Sequence, residues 1–212
     1  MVVEGVPVVG LADTWVDFGE LVGRGKPVGL DDLIVLGDAI ATRLASALPL
    51  RIALAKRVRP RGKVTLLEAL QHVRVGSASP RETLARLMLI RCGLPEPRLN
   101  LPIRSADGIL LGVGDLVWEA QRVIGEYQGE EFHAGDQQQA HDRVRRGRLE
   151  NAEWSVEEIW KVDMASTAAR MACVERFAAA LGTPEADLDL TACEPRFFSK
   201  QALELALQRD ET

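Results

Sequence analysis

Two carboxylates fall on what reads as a single β-hairpin. Ile109 to Trp118 and Arg122 to Gln128 are strand-like runs joined by a short connection at Glu119-Ala120-Gln121. With a two-residue turn at Ala120-Gln121, Trp118 stands opposite Val123 and, further in, Asp115 stands opposite Glu126. The two acids then project from one face with Cβ atoms about 4.5 to 5.5 Å apart. Like charges opposed on a sheet are destabilising, and a bound divalent cation is the ordinary reason for such a pair. Alternation places Gln128 on the face of Glu126, adding an amide oxygen as a third ligand or a water contact. A slip of one residue would send one carboxylate to the opposite face.

The bland alternative puts both acids on a solvated strand face. Against it stands their setting: Leu110-Leu111-Gly112-Val113-Gly114 precedes Asp115, and Val123-Ile124-Gly125 precedes Glu126. Acids in such apolar surroundings are expected to be partly buried, and a buried acid without a partner is costly.

Other residues of chemical interest have ordinary explanations beside the functional ones. Glu82 follows Ser79-Pro80-Arg81 and is equally the second half of a helix capping box. His133 lies in a polar loop, where a lone histidine is usually solvated. Arg143, Arg145, Arg146 and Arg148 cluster on one stretch, and residues 51 to 76 carry seven basic side chains, Arg57, Arg59, Arg61 and Lys63 among them, against Glu68 alone. Such runs are either solvated helix faces or contacts for a polyanion.

The elements that must position these residues follow from periodicity. Helices are expected over about 31 to 47, 50 to 58 and 64 to 73. Ser79-Pro80-Arg81-Glu82 opens another helix, and Gly93 stops it before Pro95 and Pro97. Leu99, Leu101 and Ile103 alternate as a strand that Pro102 confines to an edge or a bulge. After the hairpin, a helix runs from Asp136 to about Asn151 with Ala140, Val144 and Ala152 inward. A strand near 155 to 163, a helix over 166 to 181 and a short helical stretch near 199 to 208 complete the chain. The result is an α/β or α+β fold, a mixed sheet between helices, preceded by a small helical segment. The expected divisions are a helical segment over 1 to 76, the sheet domain over 77 to 165 and a helical extension over 166 to 212.

Composition removes several classes. With 212 residues, a net charge of -5 and 47% apolar residues, the chain has the balance of a globular protein rather than a disordered or fibrous one. Cys92, Cys173 and Cys193 are scattered and odd in number, which supports neither a disulfide framework nor a cysteine-only zinc site and fits a reducing cytoplasm. No apolar run approaches the roughly 20 residues of a membrane span, and the N-terminus lacks the basic start of a secretory signal. A phosphate loop, a dinucleotide fingerprint and a Ser/His/Asp arrangement are absent from the sequence.

Taken in order, Ser79-Pro80-Arg81-Glu82-Thr83-Leu84, Gly114-Asp115-Leu116-Val117-Trp118, Ile124-Gly125-Glu126-Tyr127-Gln128-Gly129, His133, and Asp142, Arg146 and Leu149 before Trp154 resemble a family of small bacterial endonuclease-domain proteins. These are related to very-short-patch-repair endonucleases within the PD-(D/E)XK restriction-endonuclease-like superfamily. The resemblance covers about residues 77 to 165, and the stretch from Gly5 to Ala41 is similar to the helical segment that precedes the nuclease part. It implies metal-dependent hydrolysis of DNA phosphodiesters, with Mg²⁺ or Mn²⁺ held by Asp115 and Glu126. It further implies Glu82 as the helix acid and His133 as the base.

Gln128 is the departure, because the superfamily usually has lysine there and this family more often aspartate. Glutamine cannot ionise, so either His133 takes the role of base or activity is weak or lost. The alternative the resemblance offers is therefore a nuclease-fold module that no longer cuts and acts in DNA binding or regulation, as relatives linked to abortive-infection antitoxins do. The family also commonly carries a winged helix in front, which leads us to expect a truncated member. The arginines at 143, 145, 146 and 148 and the basic segment from 51 to 63 would meet backbone phosphates.

Overall fold

A computed structural model describes residues 2–23, 25–128 and 136–196, with side chains described from Glu4 onward and, in the helix that opens at Asp136, from Arg143. The chain divides into two compact units. One comprises the residues up to Thr83, joined by Pro195 and Arg196, and the other runs from Leu84 to Glu194.

The first unit is helical, as its apolar spacing requires. After a minimal hairpin of β1 (Val2–Val3) and β2 (Val6–Pro7) come α1 (Leu11–Phe18), α2 (Leu30–Arg43), α3 (Leu48–Lys56) and α4 (Lys63–His72). Trp15, Leu33, Ile34 and Leu66 are fully buried. Burying the Trp15 indole requires a partner for its N–H, and the Nε1 donates to the Leu33 carbonyl at 2.8 Å. Asp38 is buried too, accepting from the Arg74 backbone N–H at 2.7 Å and from the Thr83 hydroxyl at 2.8 Å. Its carboxylate thus fastens the segment after α4 to α2. The helix expected to reach residue 47 stops at Arg43, and β1, β2 and the separate helix α1 add to the expected elements, α1 with Leu11, Trp15 and Phe18 at helical spacing.

The second unit is a mixed α+β sandwich. It contains the greater part of α5 (Pro80–Arg91), then β3 (Arg98–Arg104), β4 (Leu110–Trp118), β5 (Val123–Gln128), α6 (Asp136–Asn151), β6 (Ser155–Trp160) and α7 (Thr167–Leu181). The sheet order is β3-β4-β5-β6, with the first two junctions antiparallel and the last parallel. β3 is an edge strand whose register shifts between Ile103 and Arg104, the place Pro102 demanded.

Each face of the sheet has its own core. Leu116, Trp118, Val123 and Ile159 pack with Met88 and Leu89 of α5 and with Val174 and Phe177 of α7. The Trp118 and Phe177 rings lie 5.7 Å apart, centroid to centroid. On the other face Ile103, Val117 and Ile124 pack with Leu149 of α6, flanked by Trp154 and Val156. The sheet unit therefore includes α7, whereas the sequence boundaries assigned that helix to a C-terminal extension. Burial pushes the Cys92 and Cys173 thiols up to about 12, and among the described residues the three cysteines are free and buried.

Two sequence expectations require correction here. The strand expected over 155 to 163 ends at Trp160, where Lys161–Met164 coils into a 3-10 turn capped by Asp163. Val144 faces outward at 54% exposure rather than inward. The side of α6 turned to the sheet carries Arg145, Arg146 and Leu149, since part of that side covers a polar site instead of core. The helical stretch near 199 to 208 lies outside the described residues.

Candidate active site

Hairpin register is the first determinant of the site. Trp118 pairs with Val123, Val117 with Ile124 and Leu116 with Gly125, the register that the two-residue turn implied. The ladder ends there. Instead of standing opposite Glu126, Asp115 turns its carboxylate into the gap between the strands, and Oδ2 accepts the backbone N–H of Tyr127 at 2.9 Å. A side chain thus replaces the next main-chain rung, leaving a charged oxygen set at the point where β4 and β5 part.

The cause is an irregularity shared by β3 and β4. Leu99 pairs with Leu116, and both belong to the α5/α7 core. The next pair is Leu101 with Gly114. Leu101 packs on the α6 side, and a Cβ on Gly114 would come within 2.7 Å of Ile124 on that side. Residues two apart on a regular strand share a face. The change of face falls between these pairs, at Asn100, whose φ is +45°, and at Asp115. An asparagine tolerates that left-handed conformation better than most residues.

The second determinant is the parallel pairing of β5 with β6. Ile124 is matched with Val156, Glu126 with Glu158, and Gln128 with Trp160. The apolar pair continues the core, and beyond it the same face becomes charged. Ligands of α/β sheets collect beyond the carboxyl ends of parallel strands, and here a cleft of about 500 Å³ lies over that end. Asp115, Glu126, Gln128, Glu158 and Trp160 line it from the sheet, and Arg143, Arg145 and Arg146 line it from α6.

Neighbouring glutamates on adjacent strands repel one another, and the arginines offset this. Arg145 Nη2 is 2.6 Å from Glu126 Oε2, and Arg146 Nη1 is 3.1 Å from Glu158 Oε1. Arg145 reaches its partner across Gly112, where a Cβ would lie 3.3 Å from the guanidinium and 3.4 Å from Cδ. Glu126 is 7% exposed, and its second oxygen, Oε1, is buried without a hydrogen-bond partner among the described residues. Such an orphan acceptor is uncommon in a folded protein and costly to bury.

The remaining candidate residues divide clearly. Glu82 is 8% exposed and caps α5: Oε2 accepts from the Ala78 N–H at 2.9 Å, while Ser79 Oγ accepts from the Glu82 N–H at 3.2 Å. It does not line the cleft. His133 lies outside the described residues. Arg143 is exposed at the cleft, whereas Arg148 is exposed elsewhere on α6. In the helical unit Arg57 is bound to Asp17 at 2.7 Å, with Arg59, Arg61 and Lys63 exposed. Glu158 and Trp160 were not among the residues the sequence offered for the site, Trp160 being read only as part of the strand near 155 to 163. Val156 and Ile159, one in each core, belong to a strand buried on both faces, but the sequence does not say which neighbour that strand pairs with, and only that pairing brings Glu158 beside Glu126.

The oxygens of Asp115 and Glu126 are hard donors of the kind that suit Mg²⁺ or Mn²⁺, although among the described residues no group of three or more His, Cys, Asp or Glu side chains is close enough to enclose a metal by itself. Two carboxylates completed by water and substrate phosphate is nonetheless a common way of holding Mg²⁺. Among the described residues no single helix is long and apolar enough to cross a membrane.

Comparisons with known proteins place the chain beside relatives without a described activity. No protein-family model matches it, and no solved structure matches it. It is 30% identical over 140 residues to uncharacterized proteins of Mycobacterium tuberculosis, one from strain CDC 1551 / Oshkosh and one from strain H37Rv. The matched stretch is 66% of this chain and 51% of each relative, so the chain spans about half the length of the curated relatives it matches.

Proposed function

We propose that the cleft is the active site of a Mg²⁺- or Mn²⁺-dependent DNA endonuclease of the very-short-patch-repair-like, restriction-endonuclease-like type. The observation that supports this reading is the buried Oε1 of Glu126, without a hydrogen-bond partner among the described residues, in a cleft shared with Asp115 and walled by three arginines. Asp115 and Glu126 would hold the cation. When bound, the cation polarises the scissile phosphate and eases deprotonation of the attacking water. Arg143, Arg145 and Arg146 meet the phosphates flanking the cleavage point, and Arg59, Arg61 and Lys63 are further phosphate contacts on the helical unit. His133 is the candidate base, histidine being the side chain most used for that role. Three unpaired, buried thiols fit the reducing cytoplasm as the compartment.

A second reading is favoured by two observations. Gln128 lines the cleft where the superfamily usually has lysine, and Arg145 is already bound to Glu126. Together they describe a module that binds DNA without cutting it, in the manner of an abortive-infection antitoxin. Incubation with supercoiled, single-stranded and mismatched DNA separates the two. The nuclease nicks at least one of these in Mg²⁺ or Mn²⁺ and loses that activity in Asp115→Asn. A wild type that cuts none, and that Gln128→Lys does not rescue, leaves the binding module.

A further inference from the structure

Of the four tryptophans in the chain, Trp15 and Trp118 are buried and Trp154 packs against the α6 core, while Trp160 is 46% exposed. An exposed indole is a large apolar surface left in water, and this one lies at the cleft, beside Gln128 in the parallel register. It is also held in place by polar contacts rather than by burial. Its Nε1 donates to Glu158 Oε2 at 3.2 Å, and Arg146 grips the other oxygen of that carboxylate at 3.1 Å. Its backbone N–H donates to Asp163 Oδ2 at 2.8 Å. A loose surface side chain has no need of such a chain of anchors.

We infer that Trp160 is a stacking platform for an unpaired nucleobase, so that the cleft takes single-stranded DNA in preference to fully paired duplex. This rests on the reading of the cleft as a DNA site and adds the class of DNA. Fixed aromatic rings beside cationic grooves are the recurrent device for single strands, because every base offers a π face without regard to sequence. Within a duplex both faces of each base are covered by neighbours, so a ring at the cleft wall can engage only a base that is displaced or unpaired. A cleft of about 500 Å³ falls in the range that encloses a small ligand such as one nucleotide. Glu158 and Asp163 are positioning residues for the ring, and Arg143 supplies charge for the adjoining phosphate.

The test is binding without divalent cation, read by anisotropy of a labelled oligothymidylate of about eight nucleotides and of a blunt duplex. Trp160→Ala weakens single-strand binding about tenfold or more, Trp160→Phe retains most of it, and duplex affinity is unchanged in both. The wild-type tryptophan emission is quenched by the single strand, and Trp160→Phe loses that quench. Equal single-strand affinity in wild type and Trp160→Ala, equal losses on both substrates, a wild-type preference for duplex, or no binding at all would overturn the inference. Cleavage assays distinguish it from the reading beneath it. Cutting that ignores Trp160 sinks the platform alone, and Trp160-dependent binding without cutting sinks the nuclease alone.

Discussion

Arg145 grips Glu126 by one carboxylate oxygen at 2.6 Å, while the other oxygen of the same group is buried with no hydrogen-bond partner among the described residues. A half-satisfied buried charge is an expensive arrangement in a protein that only has to fold. It is the arrangement expected where a second cation has to arrive. The guanidinium then holds the carboxylate in place, on an element that also carries Arg146.

Removing the guanidinium exposes this dependence. Arg145→Met keeps most of the side-chain volume over Gly112 but leaves Glu126 unpaired. We expect a loss of about 1 to 3 kcal/mol, held below the cost of breaking a fully buried pair because Arg145 is one-third exposed. Millimolar Mg²⁺ should return part of the lost melting temperature. A variant equally unstable with and without Mg²⁺ would place the ion pair outside any cation site.

Arg143 is a different kind of residue, exposed and without an ion pair among the described residues. Arg143→Ala should leave the melting temperature unchanged within error. It should reduce the slope of log K against log salt for DNA binding by close to one, the signature of one phosphate contact. An unchanged slope would remove Arg143 from the interface.

Gly125 precedes Glu126 and faces α7. A Cβ there would stand 3.0 and 3.1 Å from ring carbons of Phe177, so Gly125→Ala overpacks the core and should cost about 1 to 3 kcal/mol in chemical denaturation. Because the displaced strand carries Glu126, DNA cleavage should fall as well. Wild-type stability in this variant would mean that Phe177 moves aside freely.

Acid should act on a pair remote from the cleft. Hydrogen bonds from Arg170 and then from Thr167 hold the Glu194 carboxyl below its usual range. A carboxylate with a lowered folded-state pKa contributes stability above its ordinary value of 4.5, and that contribution is lost as pH falls through the lowered value. Glu194→Gln should therefore be less stable than wild type at pH 7, with the gap closing as pH falls from 4.5 through the lowered value. A gap that does not narrow as the pH falls below 4.5 would show that shape, not charge, matters there.

How much of this was legible beforehand depended on whether the signal was local. Ser79-Pro80-Arg81-Glu82 announces α5 because capping is chemistry within four residues, and the same locality explains why Glu82 is a cap. The hairpin register followed from turn length and alternation, and it holds from Trp118 through Leu116. It fails at Asp115 for a reason no alternation shows: a face change shared with Asn100 on a third strand. Glu158 and Trp160 join the site only through parallel pairing across a helical crossover, a long-range choice. Val144 misled because a helix covering a polar cleft turns arginines inward, against the rule that apolar residues mark the buried side.

The claim that Asp115 and Glu126 hold a hard cation beside DNA is tested most directly by Mn²⁺ electron paramagnetic resonance, titrating the protein bound to an uncleavable phosphorothioate oligonucleotide. The account predicts saturable Mn²⁺ binding that Mg²⁺ displaces and that both Asp115→Asn and Glu126→Gln abolish while DNA binding persists. No saturable Mn²⁺ binding in wild type, or binding that survives both substitutions, would contradict it.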